Sequence, residues 1–165
     1  MKYAAPHMAE EFLGLPAQLR RHLESVDAWL IAQRWPDLFL TCVGRTDEDS
    51  ERIYTPYAEK LAAQHQAGTI RNDKERLLAG QLAAMTAGQR RQWARSKFSW
   101  HRILCAVDIR NRVYSRTQRR ELMDRLRHGT SASQWEVLEH DVGRGDHIHV
   151  AYRDFSRRQP VHPHP

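Results

Sequence analysis

The sequence predicts an α+β fold with a small, mainly antiparallel sheet that is flanked by N-terminal and inserted helices. Amphipathic helical patterns dominate the first half of the chain, and strand patterns are concentrated in the second half. The two kinds of pattern do not alternate regularly, which argues against a doubly wound sheet. The chain has 165 residues, and we expect one domain over residues 1–155 and a disordered tail rich in Arg, Pro and His over residues 156–165.

An amphipathic helix and a strand are expected first. Apolar residues recur at helical spacing between residues 16 and 31, at Leu19, Leu23, Val26 and Leu30. Trp35–Pro36 ends that helix, since a residue before proline avoids the helical region. Residues 38–43 are apolar and β-rich, which predicts a strand. We assign no structural role to residues 1–8.

Three inserted helices follow this strand. Thr46 is suited to cap the first of them, whose opening turn is acidic as the helix dipole prefers. A second helix is expected around Leu77–Leu82. Thr86 and Gln89 have the spacing of a capping box and predict a third helix that ends near Arg95.

The C-terminal part is expected to supply most of the sheet. Residues 103–109 alternate, so that Leu104, Ala106 and Asp108 should share one face of a strand. Ser115 with Gln118 opens a helix that stops at Gly129. Two late strands, at 135–138 and 147–152, should be joined by a turn at residues 143–146.

Net charge and cysteine count limit the possible binding partners only partly. The formal net charge of +6 suits a polyanionic partner, namely nucleic acid, an acidic wall polymer or anionic lipid, but a codon bias toward arginine gives the same charge. Cys42 and Cys105 are too few for a disulfide framework and are expected to be buried free thiols. No stretch predicts a transmembrane helix, and the N-terminus lacks the apolar core of a signal peptide.

Four residues have the chemistry of a metal site. His147 and His149 should lie side by side on one strand face, either as metal ligands or as strand histidines without a function. Asp108 ends the inner face of its strand, where it needs either a metal or an arginine partner. His101 lies seven residues earlier, where a loop can fold it back over Asp108. Two imidazoles and one carboxylate make a catalytic zinc set with a fourth position for water.

These residues lie in two motifs that resemble the LAS metallopeptidases. This family groups D-alanyl-D-alanine carboxypeptidases and dipeptidases with murein endopeptidases and phage L-alanyl-D-glutamate endolysins. Its first motif, Ser-x-His-x-x-Gly-x-Ala-x-Asp, reads Ser-Trp-His-Arg-Ile-Leu-Cys-Ala-Val-Asp at residues 99–108. Its second motif, an acid three residues before a histidine, reads Asp-His-Ile-His at residues 146–149. A looser match is an arginine after the first strand, at Arg45.

The resemblance implies one Zn²⁺ ion, bound by His101, Asp108 and His149. It further implies that Asp146 is the general base, with His147 as the alternative. Arg45 would hold a substrate carboxylate or the developing oxyanion, and Ser99 would orient the metal-binding loop from the second shell.

The implied activity is hydrolysis of peptide bonds that involve D-amino acids in peptidoglycan peptides. The enzyme would be made in the cytoplasm and reach the wall after release, as phage lysins do, with no specific nucleic-acid partner and no membrane insertion. One departure from the motif is Leu104, which replaces the family glycine and is expected to crowd the metal pocket.

Three other functions fit parts of the sequence. A single-strand DNA nickase with a His-hydrophobe-His metal site suits His147–His149 and the positive charge, although only Tyr152 follows as a nucleophile. An inactive wall-binding homologue would explain Leu104. A cupin-like barrel also uses His-x-His, but the helical first half argues against it.

Overall fold

A computed structural model describes residues 1–97, 99–140 and 147–157. The predicted α+β fold is confirmed: helices accompany a five-stranded, mostly antiparallel sheet within these ranges. The chain forms two compact units, the first made of residues 1–44 with the chain from residue 99 onward, the second of residues 45–98. Each unit is described by itself.

The sheet belongs to the first unit and has the strand order β1-β2-β3-β5-β4. Only β1 and β2 are parallel; the other neighbours are antiparallel. The strands are β1 (Lys2–Tyr3), β2 (Phe39–Cys42), β3 (Ala106–Arg110), β4 (Trp135–His140) and β5 (His147–Tyr152). The register slips between Leu40 and Cys42, an irregularity of the kind that bends a strand and re-aims its side chains.

Helices of the first unit cover one face of this sheet. They are α1 (His7–Leu13), α2 (Ala17–Ala32) and α6 (Arg116–Arg127). The apolar stripe of α2 is buried at each of the predicted positions, and the α6 stripe contributes Leu122, Met123 and Leu126. These residues form one apolar cluster with Ile109 and Val150 of the sheet. Successive side chains of a strand point to opposite faces, so the residues that alternate with these buried ones lie on the other face of the sheet. The candidate site is on that face.

The second unit is helical and has a smaller core. It consists of α3 (Asp47–Gln66), α4 (Asp73–Ala83) and α5 (Ala87–Ser96). Its core gathers small and branched apolar residues of α3 and α4: Ala58, Leu61, Ala62, Ala79 and Leu82. The side-chain oxygens of the predicted capping residues Thr46 and Thr86 each accept a hydrogen bond from the backbone N–H of the residue three positions later. None of the described helices is both long and apolar enough to cross a membrane.

Two sequence expectations about this fold were wrong. Residues 1–8 do have a structural role, because they form β1 and begin α1, and Met1, Tyr3 and Met8 pack against the apolar cluster. Both elements are too short to leave a periodic pattern, and β1 exists only through its pairing with β2. The third strand begins at Ala106 instead of residue 103, because residues Trp100–Ile103 form a turn of 3₁₀-helix.

Two further expectations concern residues outside the described ranges. These are the turn at residues 143–146 and most of the predicted tail, residues 158–165. The first two tail residues are described, and they end a short 3₁₀-helix over Phe155–Arg157.

Candidate metal centre

The site is built on a row of residues that runs across three strands. Cys42 of β2 pairs with Asp108 of β3, and Asp108 pairs with His149 of β5. Directly opposed residues on antiparallel strands point their side chains to the same face. His147 lies two residues before His149 and therefore shares that face. Strand pairing thus brings together residues that are far apart in the sequence.

His101 reaches this row from the 3₁₀-helix Trp100–Ile103. Ser99 caps that helix, and its hydroxyl accepts a hydrogen bond from the His101 backbone N–H at 3.3 Å. The His101 side chain is almost fully buried, and its Nδ1 lies 3.2 Å from the carbonyl oxygen of Val43. A carbonyl only accepts, so Nδ1 carries a proton and Nε2 is the ring nitrogen that faces the strand residues.

Three donor atoms converge at the centre of the site. His101 Nε2 lies 3.2 Å from Asp108 Oδ1 and 3.2 Å from His149 Nδ1. The third side of this triangle, between His149 Nδ1 and Asp108 Oδ1, is 2.9 Å. The structure therefore brings together all three residues that the sequence nominated as metal ligands.

The contacts within the triangle depend on where protons or a cation lie. With a proton on Nδ1, His101 needs either a second proton on Nε2 or a cation beside it to make the 3.2 Å contact with Asp108 Oδ1 favourable. A single N–H on His149 Nδ1 satisfies only one of the three contacts. A cation, or an extra proton, is required to make all three contacts favourable, because buried polar groups without partners are costly. The donor set could therefore hold a metal ion.

Asp108 is the charged member of the triangle. Burial opposes its ionisation and would raise the pKa of its carboxyl group, but the imidazoles of His101 and His149 outweigh that effect and hold the pKa well below the usual range. The carboxylate is therefore ionised at neutral pH and is available as an anionic ligand.

His147 lies at the edge of the triangle. Its Nε2 is 3.7 Å from Asp108 Oδ1, beyond hydrogen-bonding distance, and its side chain is 19% exposed. It is the most exposed of the three histidines that face Asp108.

Cys42 adds a fourth candidate ligand that the sequence did not single out. Cys42, His101 and Asp108 form a group that could hold a metal ion. The thiol, however, lies 3.6 Å from Nδ1 of His101, the nitrogen that already faces Val43, and 3.3 Å from the carbonyl oxygen of Gly44. His149 Nδ1, by comparison, lies 3.2 Å from His101 Nε2 and 2.9 Å from Asp108 Oδ1. Cys42 is half-buried instead of fully buried as expected, whereas Cys105 is buried as expected.

Two other predicted site residues, Arg45 and Asp146, are not part of the triangle. Arg45 begins the second unit, where its Nη1 donates to the hydroxyl of Tyr54 at 3.1 Å. Asp146, the predicted general base, lies outside the described residues.

Leu104 does not occupy the position expected from the sequence. It ends the 3₁₀-helix in the left-handed conformation, with φ of 51°, and packs against the main apolar cluster. Its Cδ1 lies against Gly14, where a Cβ atom would approach it to 2.9 Å. The expectation that Leu104 shares the strand face of Asp108 and crowds the metal pocket was therefore wrong. The residue precedes the strand, and the positive φ turns the chain there.

Glu136 is a neighbour of the site that sequence reasoning missed. Its Oε1 lies 3.9 Å from Nε2 of His149, and its Oε2 accepts from Nη2 of Arg153 at 2.7 Å. No motif marks this residue. Only the pairing of β4 with β5, which the sequence does not state, brings Glu136 near His149.

Comparisons with protein-family models, with curated proteins and with solved structures find no match to this chain. The resemblance to the LAS metallopeptidases therefore rests on the motif residues at 99–108 and 146–149 alone.

Proposed function

We propose that this chain is a zinc-dependent peptidase of the LAS type, which hydrolyses peptide bonds involving D-amino acids in peptidoglycan. The observation that carries the proposal is the triangle of His101 Nε2, Asp108 Oδ1 and His149 Nδ1, with sides of 2.9–3.2 Å. Tetrahedral zinc, with bonds of about 2.0–2.2 Å to such atoms, separates two ligand atoms by about 3.3 Å. The three sides are within about 0.4 Å of that separation, which supports a zinc site at these residues.

Two nitrogen donors and one oxygen donor are typical of catalytic zinc sites. Structural sites use four protein ligands, often thiolates, whereas catalytic sites use three and leave one position for water or substrate. The two histidine ligands also differ in solvent exposure: the side chain of His101 is 1% exposed and that of His149 is 13% exposed. This gradient suits a site that is closed on one side and accessible on the other.

The contacts that hold His101 from behind support the same function. The carbonyl of Val43 holds His101 in the tautomer that presents Nε2, and the Ser99 hydroxyl holds the backbone of His101. Such contacts orient a metal ligand before binding. Ser99 thus has a contact suited to the positioning role that the resemblance implies.

Zinc bound by these residues would lower the pKa of a water molecule to about 7 and polarise the scissile carbonyl group. The chain itself must supply a group that takes the proton from that water and passes it to the leaving amine. We assign this role to Asp146, as the resemblance implies. His147 is the alternative, because its ring shares the face of Asp108 and is partly exposed.

Arg45 is proposed to bind a carboxylate of the substrate peptide. A guanidinium group recognises a carboxylate through a planar fork of N–H donors. The hydroxyl of Tyr54 accepts from one of its nitrogens and restricts its rotamers, which lowers the entropic cost of binding.

The argument for an inactive homologue depended on Leu104. That side chain packs into the apolar cluster beside Gly14 and takes no part in the ligand triangle. The departure from the family glycine is therefore no reason to expect a blocked metal site, and we favour the active enzyme.

The test combines metal analysis with wall digestion. Purified protein should contain about one zinc per chain by mass spectrometry of the metal, and His149→Ala should lose it, because a catalytic site has only three protein ligands. His128→Ala is the matched control, since His128 is exposed at the end of α6. Wild type should release peptides from purified peptidoglycan, detected by chromatography, and His149→Ala should not.

Two results would overturn the proposal. Wild type without any zinc affinity would remove the metal site on which it rests. A zinc-loaded protein that leaves peptidoglycan intact but nicks single-stranded DNA would replace the peptidase with the nickase.

A further inference from the structure

We propose that Glu136, held by Arg153, is a positioning residue for the metal ligand His149. The proposal rests on the metal-binding part of the proposed function and adds a carboxylate that neither zinc motif contains. The observation behind it is the chain of contacts from Nη2 of Arg153 to Oε2 of Glu136, at 2.7 Å, and from Oε1 of Glu136 to Nε2 of His149, at 3.9 Å.

The direction of the His149 ring is the first step. Its Nδ1 faces the triangle, 2.9 Å from Asp108 Oδ1, so its Nε2 points away from the metal position. When Nδ1 gives its lone pair to a metal, the ring proton must be on Nε2. Oε1 of Glu136 lies 3.9 Å from that nitrogen, and a carboxylate is one of the usual partners behind metal-binding histidines.

Strand register explains how Glu136 reaches this nitrogen. Glu136 of β4 lies opposite Ala151 of β5, and Ala151 is two residues beyond His149 on the same face. The two residues are therefore diagonal neighbours, about 7–8 Å apart at Cα, which a glutamate side chain can span. The small side chain of Ala151 leaves the path between them open.

Arg153 holds the Glu136 carboxylate in place by binding one of its two oxygens. The guanidinium takes Oε2, while Oε1 stays on the side of His149. The Arg153 backbone is itself fixed, because its N–H donates to the carbonyl of Gln134 at 2.6 Å. At 3.9 Å the contact with His149 is electrostatic or carried by one water molecule, so charge on Glu136 should matter more than close packing.

The experiment measures zinc affinity by competition with a chromophoric chelator. Glu136→Ala is expected to bind zinc about 10- to 100-fold more weakly than wild type, the usual effect of removing such a partner. Glu136→Gln, which keeps an acceptor oxygen without charge, should lie between the two. Glu139→Gln is the matched control, because Glu139 is on the same strand but its Oε1 accepts from Asn111, and its affinity should equal that of wild type.

A second measurement separates positioning from folding. The visible spectrum of the Co²⁺-substituted protein reports ligand geometry, and it should change in Glu136→Gln while the melting temperature of the metal-free variant stays that of wild type. Glu136→Ala and Glu136→Gln with wild-type affinity and an unchanged spectrum would overturn the inference and leave the proposed function intact. A wild type that binds no zinc would instead overturn both.

Discussion

Substitution of Leu104 tests the left-handed turn that sets His101 above the sheet. Leu104 has φ of 51° and ψ of 50°, a conformation that costs a residue with a Cβ atom about 1–2 kcal/mol. Replacement by glycine removes that cost. It also removes a half-buried apolar side chain, worth about 1–1.5 kcal/mol, half of the value for full burial. The greater freedom of glycine in the unfolded chain subtracts about 0.5–1 kcal/mol more.

These contributions nearly cancel. Leu104→Gly should therefore lower the free energy of unfolding by no more than about 1.5 kcal/mol, less than the 2–5 kcal/mol of a buried leucine truncated to alanine. Leu104→Ile keeps the apolar volume but places a branched Cβ in the left-handed region, where it should cost about 1–3 kcal/mol.

The assay is urea unfolding of the metal-free protein, together with zinc affinity. Both variants should bind zinc like wild type when folded, because the Leu104 side chain packs in the apolar cluster. A loss of 3 kcal/mol or more in Leu104→Gly, in the range of a simple core truncation, would refute the reasoning. So would a Leu104→Ile variant as stable as wild type.

Three further predictions address the cap of α6 and the composition of the site. Ser115→Ala should lower the free energy of unfolding by about 1 kcal/mol in urea titrations, since its hydroxyl accepts from Gln118 N–H and caps α6; Ser115→Asp, another good cap, should restore it. Cys42→Ala should keep one zinc per chain and an affinity close to wild type, because its thiol faces Nδ1 of His101; loss of the metal there, with retention in His149→Ala, would reverse the ligand assignment. In the metal-free protein, the stability difference between wild type and Asp108→Asn should be present above pH of about 4, the unfolded pKa, and should vanish as pH falls through the lower folded pKa. A difference that grows in acid, in urea titrations over that range, would contradict it.

The sequence predicted those elements whose signals are local. Capping residues at Thr46, Thr86 and Ser115 marked helix starts, and each caps its helix in the structure. The stripe of α2 and the span of β5 were likewise predicted, because apolar periodicity depends on only a few neighbouring residues.

Features that depend on pairing or on one backbone angle were not predictable. The two-residue strand β1 has no pattern of its own and exists through β2. The alternation at 103–109 suggested a continuous strand, but the positive φ of Leu104 breaks it. The triangle was predicted from the strand faces of Asp108 and His149, from the nearby His101 and from the motifs. Cys42 and Glu136 were not predicted, because strand register alone brings them near the site.

The most direct test of the central claim is the zinc stoichiometry of wild type, His149→Ala and His128→Ala, measured beside peptide release from purified peptidoglycan. The account predicts about one zinc per chain and wall cleavage in wild type and in the control, with both lost in His149→Ala, as expected for a three-ligand catalytic site. Equal zinc contents in wild type and His149→Ala, or cleavage that persists in the metal-free protein, would contradict it.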